Sequence, residues 1–149
     1  MEKMNVVSIN KGKDTLIKSP KPPVYLTDEA KKYYVSMGNL LAKLDRLKEI
    51  YLPGLEIYSE AAAQYEFSIR SIKIKNKRSF GEGYIQTYKT GAQNISVELT
   101  LKNNAEDTLM KCFKLFGLDP KSEKDLKETS DPNQTSLFAE LMNSKSNIN

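Results

Sequence analysis

The sequence predicts a mainly α fold: an antiparallel helical hairpin, a third helix, a short C-terminal helix, a small β-hairpin or irregular loop around 80–95, and flexible tails. Three observations carry this expectation. Leu55, Tyr58, Ala61, Ala62, Tyr65, Ile69 and Ile72 recur at spacings of three and four, one apolar stripe on a helix from about Leu52 to Arg78. Ala30, Tyr33, Tyr34, Met37, Leu40, Leu41 and Leu44 form a similar stripe just before it, across a short connector. The hydrophobic share, 39% of 149 residues, is enough for one core with solvated tails.

Residues 1–25 hold Lys3, Lys11, Lys13, Lys18 and Lys21 against Glu2 and Asp14. Pro20, Pro22 and Pro23 block a helix there, so a basic flexible arm is expected. The domain proper is expected over 26–128. Its first helix opens at Thr27, whose side chain suits an N-cap, with Asp28 and Glu29 at the positive end of the helix dipole. Gly38 weakens that helix slightly. Asp45–Tyr51 is a connector, and Pro53 fits the first turn of the long helix, where a missing N–H costs nothing.

Between Ser79 and Asn94 the glycines at 81, 83 and 91 and the alternating Tyr84–Tyr88 run suggest a short hairpin or loop. The third helix is expected from about Ser96 to Phe116, with Val97, Leu101, Ala105, Leu109, Cys112, Phe113 and Phe116 facing inward and Gly117 at its end. Asp119 and Pro120 then restart a short helix as N-cap and N1. The stretch 129–149 is polar and turn-rich, and a flexible tail is expected, except for the island Leu137–Met142.

Several classes of chemistry lose their means. The chain has no histidine, the commonest general base and metal ligand. Its single cysteine, Cys112, can form neither an intrachain disulfide nor a structural zinc site. No GxxxxGK[ST] loop is present to cradle a triphosphate. Carboxylates such as Asp45 and Glu106–Asp107 sit among basic residues on helix faces and read as solvated. No enzyme activity, cofactor or metal is therefore expected. With no signal-peptide core and no apolar run near 18 residues, an intracellular, membrane-free protein is expected.

The net charge of +4 suits an anionic partner. Positive charge concentrates in Arg70, Lys73, Lys75, Lys77 and Arg78, with no acid among them, and in the arm at Lys11, Lys13, Lys18 and Lys21. These nine residues are the candidate DNA-binding set, through phosphate contacts. A solvated helix end, where lysines suit the dipole, and a solubilising tail are the plain alternatives. The connector lacks the small turn residue of a helix-turn-helix, and no exposed Arg/Asn/Gln row suggests base reading, so backbone or shape recognition is expected. Among the tyrosines, Tyr34, Tyr58 and Tyr65 are expected in the core; Tyr33 and Tyr51 suit either core or subunit interface.

The elements in this order resemble the small terminase subunit of tailed bacteriophages, in its P-twenty-seven-like branch. The resemblance rests on LTDEAKKYYVSMGNLL after a proline-containing lead-in, the spacing of Tyr58, Ala62 and Tyr65, KTGAQN at Lys89–Asn94, and above all FGLDPKSEKDL at Phe116–Leu126. It covers about 24–127 and extends loosely to SLFAELM. Ile95 stands where the family often has proline, Asp119 replaces its usual threonine, and Lys124 a frequent arginine. The resemblance implies a non-catalytic subunit in the host cytoplasm. It would assemble into a ring, bind viral double-stranded DNA and deliver it to a large subunit holding the ATPase and nuclease.

Leu137, Phe138, Leu141 and Met142 fit one face of a short amphipathic helix, a candidate partner-binding segment. The resemblance points to the large subunit as its partner. Two rivals are a sliding clamp, through Gln134–Phe138, and the chain's own core. Two further function classes remain, a dimeric DNA-binding regulator and a non-catalytic adaptor that ignores DNA.

Overall fold

A computed structural model describes residues 14–121 and 124. Three helices, a 3-10 turn and one hairpin follow in order: α1 (Asp28–Lys43), the 3-10 turn Glu49–Tyr51, α2 (Leu52–Arg78), β1 (Ile85–Thr87), β2 (Gln93–Ile95) and α3 (Val97–Leu115). The chain divides into two compact units between Cys112 and Phe113, within the last turn of α3.

In the first unit α1 begins where Thr27 Oγ1 accepts the Ala30 N–H at 3.2 Å. It stops because Asp45 takes a left-handed φ of 55°. That turn lets the Asp45 and Arg46 N–H groups donate to the Ala42 and Leu41 carbonyls at 3.0 and 2.8 Å, which satisfies the open end of the helix. Pro53 then sits in the first turn of α2. The short connector joins α1 to α2, and the two helices pack on each other.

The buried face of α1 is Ala30, Tyr34, Met37, Gly38, Leu41 and Ala42; that of α2 is Leu55, Ser59, Ala61, Ala62, Ser68 and Ile72. Both faces are rich in small side chains, so the helix backbones can approach closely. The buried Ser59 and Ser68 hydroxyls donate to the carbonyls one turn back, Leu55 and Gln64, so neither costs an unmet hydrogen bond. Leu40 and Leu44, expected inside, are 45% and 44% exposed, because they fall on the flank of the stripe. Tyr34 is buried, while Tyr58 and Tyr65 are half-buried.

Residues 14–25, expected as part of a flexible arm, are laid against this hairpin. Leu16 is 1% exposed, and its N–H donates to the carbonyl of the fully buried Leu47 at 2.7 Å. Ser19 N–H donates to Asn39 Oδ1 at 2.9 Å. A Cβ on Gly38 would lie 2.3 Å from Ser19 Oγ and 3.2 Å from a Leu55 methyl. Gly38 thus weakens α1 as a helix but gives the segment room to cross it.

The outer rim of the hairpin is closed by hydroxyl groups on carboxylates. Tyr25 OH donates to Glu56 and Tyr33 OH to Glu66, while Glu60 accepts from the Thr27 N–H at 2.9 Å and its hydroxyl at 3.3 Å.

α3 runs antiparallel to α2. Glu98 in its first turn pairs with Lys75 near the end of α2, and Cys112 Sγ lies 3.9 Å from the Gly54 carbonyl near the start. Val97, expected inside, is 68% exposed at the first helical position, whereas Ala105 and Cys112 are buried.

In the second unit α3 ends on Gly117 with φ 68°, and the Gly117 and Leu118 N–H groups close on Lys114 and Phe113. Phe116 is buried. Pro120, Lys121 and Lys124 are helical.

Candidate nucleic-acid interface

The last turns of α2 carry all five cations expected as a cluster, and helical geometry divides them. Arg70, Lys73 and Lys77, at i, i+3 and i+7, share one face; Lys75 points away from it. Lys75 Nζ lies 2.7 Å from Glu98 Oε1, and this ammonium holds the Glu98 carboxyl below its ordinary range. Arg70 pairs with Glu66 one turn back. Lys73, Lys77 and Arg78 are exposed and have no acidic partner among the described residues. The positive field of the cluster therefore rests on three side chains of the five.

Two of them, Lys73 and Lys77, line a groove of about 660 Å³ between α2, the start of α3 and the root of the β-hairpin. Ile69, Ile72 and Leu99 floor it, and Lys73, Lys77 and Lys102 rim it. Lys102 is committed elsewhere: its ammonium pairs with Glu106 at 2.6 Å, which raises its pKa, and sits 5.8 Å from the centre of the Tyr65 ring.

Lys18 and Lys21 are exposed on the crossing segment. Ser19 packs at Gly38 and Gly38 at Leu55, so these lysines lie toward the start of α2. At 1.5 Å per residue that places them roughly 30 Å from Lys77 along the helix. The described candidates thus form two patches at opposite ends of the hairpin. Lys11, Lys13 and the partner-binding candidates Leu137, Phe138, Leu141 and Met142 lie outside the described residues.

The small β-hairpin expected around 80–95 stands next to the basic end of α2, and the exposed amides on it were not among the expected site residues. β1 and β2 pair antiparallel with Ile85 opposite Ile95, Gln86 opposite Asn94 and Thr87 opposite Gln93, and all six residues are exposed. The hairpin is fixed at its root. Asn76 Oδ1, on α2, accepts from the N–H groups of Gly81 and Gly83 at 3.1 and 2.8 Å. The buried Ser96 donates its hydroxyl to the Gly83 carbonyl at 2.7 Å, while that oxygen caps α3 by accepting from Leu99 N–H at 3.0 Å. A Cβ at Gly83 would come within 2.7 Å of the Ile72 carbonyl. One polar group from each helix and one bare glycine thus clamp the ribbon where it leaves the helices.

The Tyr33 hydroxyl is strongly displaced: its bond to the Glu66 carboxylate, aided by desolvation, pushes its pKa up to about 12. The same bond lowers the Glu66 pKa, with a smaller contribution from Arg70. Burial alone raises the Cys112 thiol. Among the described residues no group of His, Cys, Asp and Glu could hold a metal ion, and no helix is long and apolar enough to cross a membrane.

A family model described as phage terminase, small subunit, matches residues 30–133, from the first turn of α1 to beyond α3. No curated protein and no solved structure matches the chain.

Proposed function

The chain belongs to the phage terminase small-subunit family, and from that premise we propose that it is the DNA-recognition subunit of a genome-packaging terminase. In this reading it binds viral double-stranded DNA, assembles with copies of itself into a ring, and delivers the DNA to a large subunit that cuts and translocates it. It performs no bond-breaking of its own. The observation that carries the DNA contact is the exposed Lys73, Lys77 and Arg78 set at the end of α2, free of acidic partners among the described residues.

Mechanistically the grip is electrostatic. Each ammonium or guanidinium that neutralises a phosphate releases a condensed counterion, which makes binding favourable and strongly salt-dependent. Arg70 and Lys75 contribute less, because each would first have to leave a carboxylate. Lys18 and Lys21 supply a second contact toward the start of α2, and Lys11 and Lys13 are assigned to the same DNA-binding set. Two grips roughly 30 Å apart match a duplex running along the molecule for about nine base pairs, since each base pair advances about 3.4 Å. Leu137, Phe138, Leu141 and Met142 are assigned to the large subunit as an amphipathic docking segment.

The test is retention of a duplex on the purified protein across a salt series, with solution mass by light scattering. The expected result is an oligomer whose affinity falls linearly in log–log form with salt. A monomer that retains no duplex in dilute buffer would end this reading.

A further inference from the structure

We propose that the β1–β2 hairpin is a base-reading ribbon, which enters a groove of duplex DNA while the end of α2 holds the adjoining phosphates. The proposal rests on the DNA-binding reading above and adds to it the element that distinguishes one sequence from another.

Its first support is shape. Strands in a ladder lie about 4.8 Å apart. With side chains added, a two-stranded ribbon fits the major groove, about 12 Å wide. This ribbon packs no strand residue into the core, as all six are exposed. A two-stranded hairpin has little stability of its own. Here it is held by its root, through Asn76, Gly83 and Ser96, which leaves both faces open and the direction of the ribbon fixed.

The second support is chemistry. Gln86 and Asn94 face each other across the strands, and Gln93 follows on the other face beside Thr87, to which it donates at 3.4 Å. Side-chain amides offer a donor and an acceptor side by side, the pattern that pairs with adenine in the major groove. Asn94 Oδ1 already accepts from the Ile95 N–H at 2.8 Å, which fixes the orientation of that amide and leaves its NH₂ group to donate outward. The Ile85–Ile95 pair, each 48% exposed, offers methyl groups of the kind that contact thymine.

The third support is charge. From Gly83 to Val97 the chain has no acidic residue, and its one charge is Lys89 at the tip. Lys77 and Arg78 precede the ribbon by a single turn of chain. An acid-free ribbon that leaves a basic helix end suits a polyanion. The same exposed edges could also accept a strand from another protein chain, and the test separates that occupant.

The experiment selects from a pool of random-sequence duplexes on the full-length protein and sequences what is retained. Three proteins are compared: wild type, Gln86→Ala/Asn94→Ala, and Lys73→Ala/Lys77→Ala/Arg78→Ala. The wild type is expected to enrich a motif. The hairpin variant is expected to lose that enrichment at least ten-fold while its affinity for the unselected pool stays within about three-fold. The basic variant is expected to lose affinity for all sequences and to keep the same motif preference. Because Gln86 and Asn94 are exposed, the hairpin variant should melt with the wild type, which separates loss of reading from loss of fold. Unchanged enrichment in the hairpin variant would overturn the proposal while leaving DNA binding in place. So would a wild type that binds duplexes without enriching any motif, or a hairpin variant that changes only self-assembly. Failure of the wild type to bind any duplex would strike the underlying function reading instead.

Discussion

α2 carries two regimes of charge along one continuous helix. Through its middle, Glu56, Glu60 and Glu66 each accept a hydrogen bond from the segment leading into α1 or from α1 itself, so these carboxylates are engaged within the fold. In its second half Lys73, Lys77 and Arg78 have no such counterpart among the described residues. The difference teaches how to separate structural from available charge along a single helix. Net charge and residue counts treat all these side chains alike, whereas geometry shows which of them the fold has already engaged with a partner.

The comparison is most severely tested in the first half. Leu55 is fully buried, so Leu55→Ala should remove about 2–5 kcal/mol of stability by denaturant melt. If Gly38→Ala forces the crossing segment off α1, it should cost about 1–3 kcal/mol. It should also expose Leu16 to limited proteolysis, because the new methyl would collide with Ser19. A neutral result would mean that the segment adds nothing to the fold.

The second half should respond in binding and not in stability. Lys73→Ala/Lys77→Ala/Arg78→Ala should leave the melt within about 0.5 kcal/mol. It should lower the log–log salt slope for DNA by up to about 2.7, or about 0.9 for each phosphate contact removed. Lys75→Ala, which removes a side chain already paired with Glu98, should change that slope least of the cluster.

The smallest effect concerns the rim. The folded Tyr33 pKa of about 12 lies above its ordinary 10.0, so its contribution is complete below pH 10 and is lost as pH rises from there to about 12. Glu66 is shifted the other way, so its share is present above the usual Glu range and is lost as pH falls through it. Tyr33→Phe should therefore lower the melting temperature at neutral pH, by at most about 5 °C. The gap to wild type should narrow at both extremes of pH. A gap independent of pH would deny the bond its role.

Much of the helical frame was legible in the sequence because caps and periodicity are local signals. Thr27, Pro53 and Gly117 each act where their chemistry suits them. Ser59 and Ser68 were not legible as core, because a hydroxyl on an apolar stripe reads as an interruption until its partner one turn back is seen. Leu16 was hidden for a related reason: one leucine among lysines and prolines gives no period, and its burial depends on the distant Leu47. The basic cluster could be read as a run of five, but not its division, since Glu98 is far from Lys75 in sequence. The exposed amides of the β-hairpin give no periodic signal along the sequence, because they come together only when the strands pair. Across two strands the pair Gln86 and Asn94 is eight positions apart.

The clamp at the root of the hairpin has an evolutionary consequence. Asn76, Gly83 and Ser96 secure the ribbon's entry and exit, while no strand residue of the ribbon is buried. Residues 85–95 can therefore drift or be exchanged as a cassette with little effect on the helices, and under the proposed reading a lineage of such chains acquires new target preferences while inheriting an unchanged scaffold.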